Sequence, residues 1–237
     1  MIFMIRSINT VNKNMNILQK KLENTNANIA NVNTPGYKFQ DIVQSTNESQ
    51  EMFNYTGGAD GNTRVDLGNF IYSNRIDDAV ISFEPGNLYE TDKETDYAIA
   101  GNGFFTVRMA DGQLGYTRNG NFRLNNENQL VTTEGYQVLS DDSKGDAAYP
   151  GYSLLITDFD DYDDLVSIGD TLFVSNDQGY TIQNSDVRQG FLETSNVTIV
   201  DEIVKLIEIS REFESNQKLL HTADETLNKA VNEIGRV

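Results

Sequence analysis

The chain has 237 residues, 38% of them hydrophobic, which is enough to bury a core, and a formal charge of −18 with a pI near 4.3. With 36 acids against 18 Lys and Arg, and no basic cluster, neither a phosphate backbone nor an anionic membrane surface is a natural partner. The lack of cysteine removes disulfides, thiolate catalysis and zinc–sulfur sites, and the single His221 leaves nothing for a His-rich metal centre.

Near the N-terminus, Ile8, Val11, Met15, Leu18, Leu22, Thr25, Ile29 and Val32 recur at spacings of three and four among Asn, Lys and Gln. That pattern predicts a helix with a narrow, coiled-coil type of seam. It should stop near Asn33, because Thr34 precedes Pro35 and is pushed out of the α region. Pro35-Gly36 then supplies the central residues of a type II turn. The opening MIFMIRSI is short of the ~7–15 apolar residues and small-residue cleavage site of a secretory signal, so no cleaved signal peptide is expected. No run approaches the roughly 20 apolar residues that span a bilayer.

Residues 43–75 read as polar and loop-like, and Tyr55-Thr56-Gly57-Gly58-Ala59-Asp60-Gly61 offers no period. From about residue 80 the texture changes to short β-leaning runs at Ala79–Phe83, Asp96–Ala100, Phe104–Met109, Gly115–Arg118, Asn121–Leu124 and Tyr136–Leu139. Pro85-Gly86, Gly101-Asn102-Gly103, Asp111-Gly112 and Asn119-Gly120 supply the turns between them. Such spacing predicts an antiparallel sheet or small barrel. Asp158 to Asp164 reads as an acidic loop, followed by further strands through Ile182.

At the C-terminal end Ile199, Glu202, Leu206, Ile209, Phe213, Asn216, Leu220, Ala223, Leu227, Ala230 and Ile234 repeat the three-four spacing. Ser195 or Asn196 is the expected N-cap, with Asp201 and Glu202 complementing the helix dipole. The fold class is therefore α+β: long N- and C-terminal helices forming a coiled-coil-like pair, with a central antiparallel β-rich module. The expected divisions are an N-terminal helix and turn at 1–42, an extended connecting segment at 43–84, the β-rich module at 85–189 and a C-terminal helix at 190–237. Seams this long are expected to meet other copies, since an apolar stripe exposed in a monomer marks an interaction site. The alternative is a monomer with a two-helix stalk.

No constellation points to catalysis. His221 has Ser210 and Asp224 nearby in sequence, but no Gly-x-Ser-x-Gly turn exists to expose a nucleophile. Gly101-Asn102-Gly103 resembles part of a phosphate loop, yet Phe104-Phe105-Thr106-Val107 continues as strand and opens no helix. Asp158, Asp160, Asp161, Asp163 and Asp164 could attract calcium, but Tyr162 and Asp163 break the EF-hand pattern and a solvated loop is expected. A glycosidase pair of acids cannot be picked out among 36 carboxylates. No enzyme activity, cofactor or metal is expected.

Three stretches resemble one family. Ala27-Asn28-Ile29-Ala30-Asn31-Val32-Asn33-Thr34-Pro35-Gly36-Tyr37-Lys38 looks like the N-terminal signature of bacterial flagellar rod and hook proteins. Gly86-Asn87-Leu88, then Asp96 through Val107, Tyr116 through Phe122 and Leu130-Val131-Thr132, resemble the β-rich module of the hook and distal-rod type. Gly190-Phe191-Leu192-Glu193-Thr194-Ser195-Asn196-Val197, followed by Glu202, Arg211, Phe213-Glu214 and Asp224, resembles the family's C-terminal helix and its lead-in.

The resemblance implies a structural subunit of the flagellar basal-body rod, an axial shaft carrying torque from motor to hook. It implies helical self-assembly through the terminal helices, export from the cytoplasm through the flagellar type III apparatus without a cleaved signal, and a place in the basal body of the cell envelope. Partners would be other copies, other axial proteins and the export apparatus, with no nucleic acid and no membrane insertion. The assembly interface would comprise Ile8, Val11, Met15, Leu18, Leu22, Ile29 and Val32 in the N-terminal seam and Leu206, Ile209, Phe213, Leu220, Leu227 and Ile234 in the C-terminal seam. The signature positions are Asn28, Ala30, Asn31, Thr34, Pro35, Gly36 and Tyr37, with Gly101, Gly103, Phe104, Phe105, Tyr116, Thr117 and Arg118 in the module. Where distal-rod relatives carry further paired strands, this chain has a short acidic linker, Ser140 to Pro150. Its length suits rod better than hook, and the distal rod is the expected position. A hook or proximal-rod subunit, or a secreted β-module binding protein or enzyme, is the alternative.

Overall fold

The computed structural model describes residues 2–56, 63–71, 73–141, 154–169, 171–175, 179–182 and 186–234. The chain begins with helix α1 (Ile2–Ala30) and ends with helix α2 (Ile199–Ile234). Between them run β1 (Gln40–Thr46), β2 (Gln50–Thr56), β3 (Thr63–Phe70), β4 (Asn74–Ile81), β5 (Leu88–Glu90), β6 (Tyr97–Ala100), β7 (Phe104–Arg108), β8 (Leu114–Thr117) and β9 (Arg123–Leu124). They are followed by β10 (Leu130–Val131), β11 (Gln137–Val138), β12 (Ile156–Asp158), β13 (Leu165–Ser167), β14 (Leu172–Ser175), β15 (Tyr180–Thr181), β16 (Asp186–Gln189) and β17 (Phe191–Glu193). Two long terminal helices around an antiparallel β-rich centre make the chain α+β. Among the described residues, neither helix is long and apolar enough to cross a membrane.

The chain divides into two compact units. The first comprises Met1–Asn26, Asp41–Val80 and Ile203–Val237. Its helical segments place Leu18, Ile17 and Ile209 in buried positions, with Ile8, Val11, Met15, Leu22, Leu206, Phe213, Leu220 and Leu227 half-buried. The polar positions between them are mostly exposed, as a stripe of spacing three and four requires. Asn14 Nδ2 donates to Glu212 Oε1 at 3.3 Å, and Lys13 Nζ reaches Ser73 Oγ at 3.4 Å. The side chain of Ile234 lies outside the described residues.

The same unit overturns the loop-like reading of residues 43–75. Strands β1 and β4 pair with each other, and β2 pairs with β3 along a seven-residue antiparallel ribbon with a register shift between Met52 and Phe53. Every β2 and β3 residue with a described side chain is exposed, apart from half-buried Met52. A strand with no buried face shows no hydrophobic alternation, so the usual sequence signal was absent. Local pairs do the holding: Arg64 bonds Glu51 at 3.0 Å and lies 4.1 Å from the Phe53 ring centroid. Residues 57–61 of the Tyr55–Gly61 stretch lie outside the described residues.

The second unit comprises Ala27–Gln40 and Ile81–Glu202. Its main sheet runs β13-β14-β8-β7-β11-β10-β9, with β12 bonded to both β7 and β15. Strand β7 is the hub. One edge pairs with β8, while the other is shared, its C-terminal end taken by β11 and its N-terminal end by β12. Strand neighbours alternate faces. Phe105 and Val107 therefore enter one cluster, with Ile99, Phe122, Leu130, Val138, Leu154 and Ile156. Phe104 enters another, with Tyr116, Phe159, Leu165 and Phe173. The adjacent Phe104 and Phe105 thus anchor two separate cores, and all of β7 but Arg108 is buried.

The terminal boundaries differ from expectation in two places. Helix α1 gives way to turns at Asn31, slightly before Asn33. Helix α2 begins at Ile199, and Glu202 N donates to Thr198 O, so Thr198 stands at the N-terminal boundary in place of Ser195 or Asn196. Ser195 Oγ instead accepts from Val197 N, and Asn196 is engaged elsewhere.

Candidate functional site: a buried clasp of three signature segments

The turn after α1 has the geometry its sequence demands. Tyr37 N donates to Thr34 O at 3.3 Å, and Gly36 takes φ +70° at the third position, as a type II turn requires. Gly36 also donates its N–H to Glu193 O at 2.9 Å. A Cβ on Gly36 would run into the main chain of Arg118 and Asn119. Glycine is therefore fixed here both by its backbone angle and by the closeness of two distant segments.

Those segments meet at Glu193. Its Oε1 accepts from Lys38 Nζ at 2.7 Å and from Gly86 N at 2.9 Å, and its Oε2 faces Arg118 Nη1 at 3.3 Å. Lys38 also donates to Glu84 O at 2.8 Å, and Arg118 to Gly101 O at 2.7 Å. All three charged side chains are at most 2% exposed. Burial pushes the Lys38 ammonium below its ordinary range, and the Glu193 carboxylate pulls it partly back. Burial likewise lowers Arg118 against the opposing pull of Glu193. Backbone carbonyls and an N–H take up much of the bonding capacity that the ion pairs leave, which helps a buried charge cluster to be tolerated, although Arg118 Nε is buried without a hydrogen-bond partner. The Arg118 guanidinium also lies 5.4 Å from the Phe104 ring centroid, tying the clasp to the second core.

Two asparagines lock the segment that carries Lys38. Asn28 is fully buried: its Oδ1 accepts from Tyr37 OH at 3.0 Å and Gln40 N at 3.2 Å, while its Nδ2 donates to Gln40 O at 2.8 Å and Glu202 Oε2 at 2.9 Å. Asn196 Oδ1 accepts from Phe39 N at 2.7 Å, and its Nδ2 donates to Ser82 O and Glu84 O. Glu202 thus serves as an acceptor for Asn28 and is buried, in addition to sitting in the first turn of α2.

The structure brings together Asn28, Gly36, Tyr37, Gly101, Phe104 and Arg118 from the signature positions. Asn31 and Thr34 cap the turn, with Thr34 Oγ1 donating to Asn31 Oδ1 at 3.0 Å, while Pro35 is half-buried and Ala30 is exposed at the end of α1. Gly103 lies against Ile156, Phe105 belongs to the first core, Tyr116 meets Phe159 edge-on at 4.8 Å, and Thr117 Oγ1 donates to Thr171 O at 2.7 Å. Ile29 and Val32 are half-buried. The sequence reading gave no role to Lys38 or Glu193, and marked Asn196 only as a candidate N-cap of α2. The available signal was a lone charge inside each signature, Lys38 after Gly36-Tyr37 and Glu193 after Phe191-Leu192.

The acidic loop departs partly from the expected solvated state. Asp160, Asp161, Asp163 and Asp164 are exposed, but Asp158 is buried and accepts from Tyr162 OH at 2.8 Å and Tyr180 OH at 3.4 Å. Among the described residues no group of three or more His, Cys, Asp or Glu is placed to hold a metal ion. His221 is exposed, 3.5 Å from Glu225 on the same helix face. The linker at 140–150 lies outside the described residues beyond Asp141.

The clasp thus ties a β-module to the lead-ins of two long terminal helices. The family described as the flagellar hook protein FlgE/F/G D1 domain matches residues 98–212, a span that includes Arg118, Glu193 and Glu202. The flagellar basal-body rod protein FlgG of Borreliella burgdorferi is 31% identical, with 97% of this chain and 98% of the relative aligned. FlgG of Bacillus subtilis is 32% identical, with 97% and 99% aligned. The rod protein FlgF of Caulobacter vibrioides is 30% identical, with 93% and 94% aligned. The chain belongs to the flagellar basal-body rod protein family and is a rod structural subunit.

Proposed function

We propose that the chain assembles helically, with copies of itself and with other axial proteins of the flagellar basal body, through faces of its terminal helices. The observation that carries this is a second apolar face on α2. At 100° per residue, Val200, Val204 and Ile207 lie on the side of the helix opposite Ile209 and Phe213, with Ile203 at the edge nearest Leu206. The second set is 45–64% exposed, while Ile209 is buried. Four aliphatic side chains within two turns of a helix, open to water, are the mark of a surface that a partner covers. The first face, with its counterpart on α1, is read as a coiled-coil-like pair, supported by the half-burial of both seams and the Asn14–Glu212 bond.

Such an assembly places the seam residues Ile8, Val11, Met15, Leu18 and Leu22, with Leu206, Ile209, Phe213, Leu220 and Leu227, in the wall of a shaft that transmits torque to the hook. The distal rod is the position favoured here, and the proximal rod is the alternative. The subunit leaves the cytoplasm through the flagellar export apparatus without a cleaved signal. The role is structural rather than catalytic.

The test is sedimentation and electron microscopy of the purified chain across a concentration series, alone and with preformed rod. Wild-type chain should form concentration-dependent polymer or add to the rod. A chain with I203D and V204D together should keep its circular dichroism and stay unassembled. Assembly undiminished by that pair of charges would remove the α2 face from the interface.

A further inference from the structure

We propose that Asn102 is a site of spontaneous covalent modification in the folded chain, converting to aspartate and isoaspartate in preference to Asn119. The chemistry uses the chain and water alone. The backbone nitrogen of Gly103 attacks Asn102 Cγ, a C–N bond forms, and ammonia leaves with the amide nitrogen. Water then opens the five-membered imide at either carbonyl, giving aspartate or isoaspartate. No electron transfer is involved. A following glycine favours the first step because no side chain obstructs the approach of its nitrogen.

The chain holds two Asn-Gly pairs, at 102–103 and 119–120, and the fold treats them oppositely. Asn102 is exposed in the reversal between β6 and β7. Asn119 is half-buried, and its Oδ1 accepts from Asn121 N at 3.0 Å while its own N–H is held by Thr117 Oγ1 at 3.0 Å. Gly120 is buried and wedged against the carbonyl of Tyr97. Cyclisation at Asn119 must therefore break the Asn121 bond and turn a main chain with no room to move. At Asn102 the side chain is exposed to solvent, so although Gly103 is buried as Gly120 is, the amide is able to turn toward the Gly103 nitrogen without breaking a bond like that of Asn119 to Asn121.

The position of Asn102 gives the modification a structural consequence. The preceding carbonyl, Gly101 O, is held by Arg118 of the clasp at 2.7 Å. The following residue, Gly103, sits at φ +99°, where a Cβ would come within 2.7 Å of Ile156 Cγ2. Isoaspartate lengthens the main chain by one carbon between these two fixed points. The added carbon is expected to shift one of them and so to disturb the Arg118–Gly101 bond or the packing of Gly103.

The experiment incubates the folded full-length chain in warm, mildly alkaline buffer. Protein isoaspartyl methyltransferase with labelled methyl donor reports isoaspartate, and peptide mapping locates the label. The expected result is label on the peptide containing Asn102 before that containing Asn119, lost in N102Q and retained in N119Q. The chain unfolded in urea should label both peptides at similar rates, since only the fold separates them. Label at Asn119 first or equally in the folded chain, persistence of the early label in N102Q, or labelling of only the unfolded chain would each overturn the proposal.

Discussion

Lys38 Nζ lies 2.7 Å from Glu193 Oε1 across 155 residues of sequence, with 1% of either side chain exposed. Arg118 completes the cluster from the middle of the chain. Two buried cations share one carboxylate, so Glu193 is the member whose loss leaves most uncompensated. The pairs themselves add little net stability, because desolvation offsets most of their attraction. Their effect is on how the segments meet: in this arrangement Lys38 and Arg118 both reach the same buried counter-charge.

Replacing Glu193 with Gln should destabilise the second unit by about 3–5 kcal/mol, the usual cost of breaking a buried pair from one side. Urea unfolding followed by tyrosine fluorescence measures it. Lys38→Met should cost less, since Glu193 keeps Arg118 and the Gly86 N–H. Equal losses for the two variants would contradict the keystone role of the carboxylate.

Gly36→Ala and Gly112→Ala both place a Cβ at positive φ, at +70° and +84°. A left-handed backbone alone costs ~1–2 kcal/mol for an L-residue. Gly112 faces open space, so its variant should lose only that, whereas Gly36 meets the Arg118 main chain and should lose a further ~1–3 kcal/mol from overpacking. Thermal melts of the two variants give the comparison directly.

Burial, and then the bond to Asp158, push Tyr162 up to about 12 from its ordinary 10.0. Between these values the folded chain keeps a proton that the unfolded chain has released, so stability falls as pH rises through this window and is unaffected below it. Absorbance titration should show a late tyrosine component that Y162F removes. Tyr180 shares the Asp158 carboxylate and is also raised, as are Tyr89, Tyr97 and Tyr116, so an unchanged late component in Y162F would shift the assignment to one of these.

Leu18→Ala should cost about 2–5 kcal/mol because the side chain is buried in the first unit. Val200→Ala, on the exposed face of α2, should leave monomer stability within ~0.5 kcal/mol. The two together separate the contacts the chain makes with itself from those left for a partner. A large monomer loss in the Val200 variant would argue against a free face.

Both helices were legible because each carries a long stripe of spacing three and four. The module was legible from its turns, with Gly101-Asn102-Gly103 and Asn119-Gly120 bracketing strands that formed near their expected limits. The ribbons at 40–81 were not, since none of their strands has a fully buried face to impose a clear pattern, β2 and β3 being almost wholly exposed and β1 only half-buried. Thr198 displaced Ser195 and Asn196 at the start of α2 because Asn196 is drawn to Phe39, Ser82 and Glu84, contacts over a hundred residues away.

By itself the sequence determined the two terminal helices, most strands of the β-module, the family and the type II turn at Pro35-Gly36, all properties of short stretches of chain. Only the tertiary structure decided that Phe104 and Phe105 serve different cores, that Asp158 is buried while its acidic neighbours are not, and that Lys38, Arg118 and Glu193 share one site. Those outcomes depend on desolvation and on which distant groups arrive together. A charged side chain reads the same in sequence whether water or a counter-ion surrounds it.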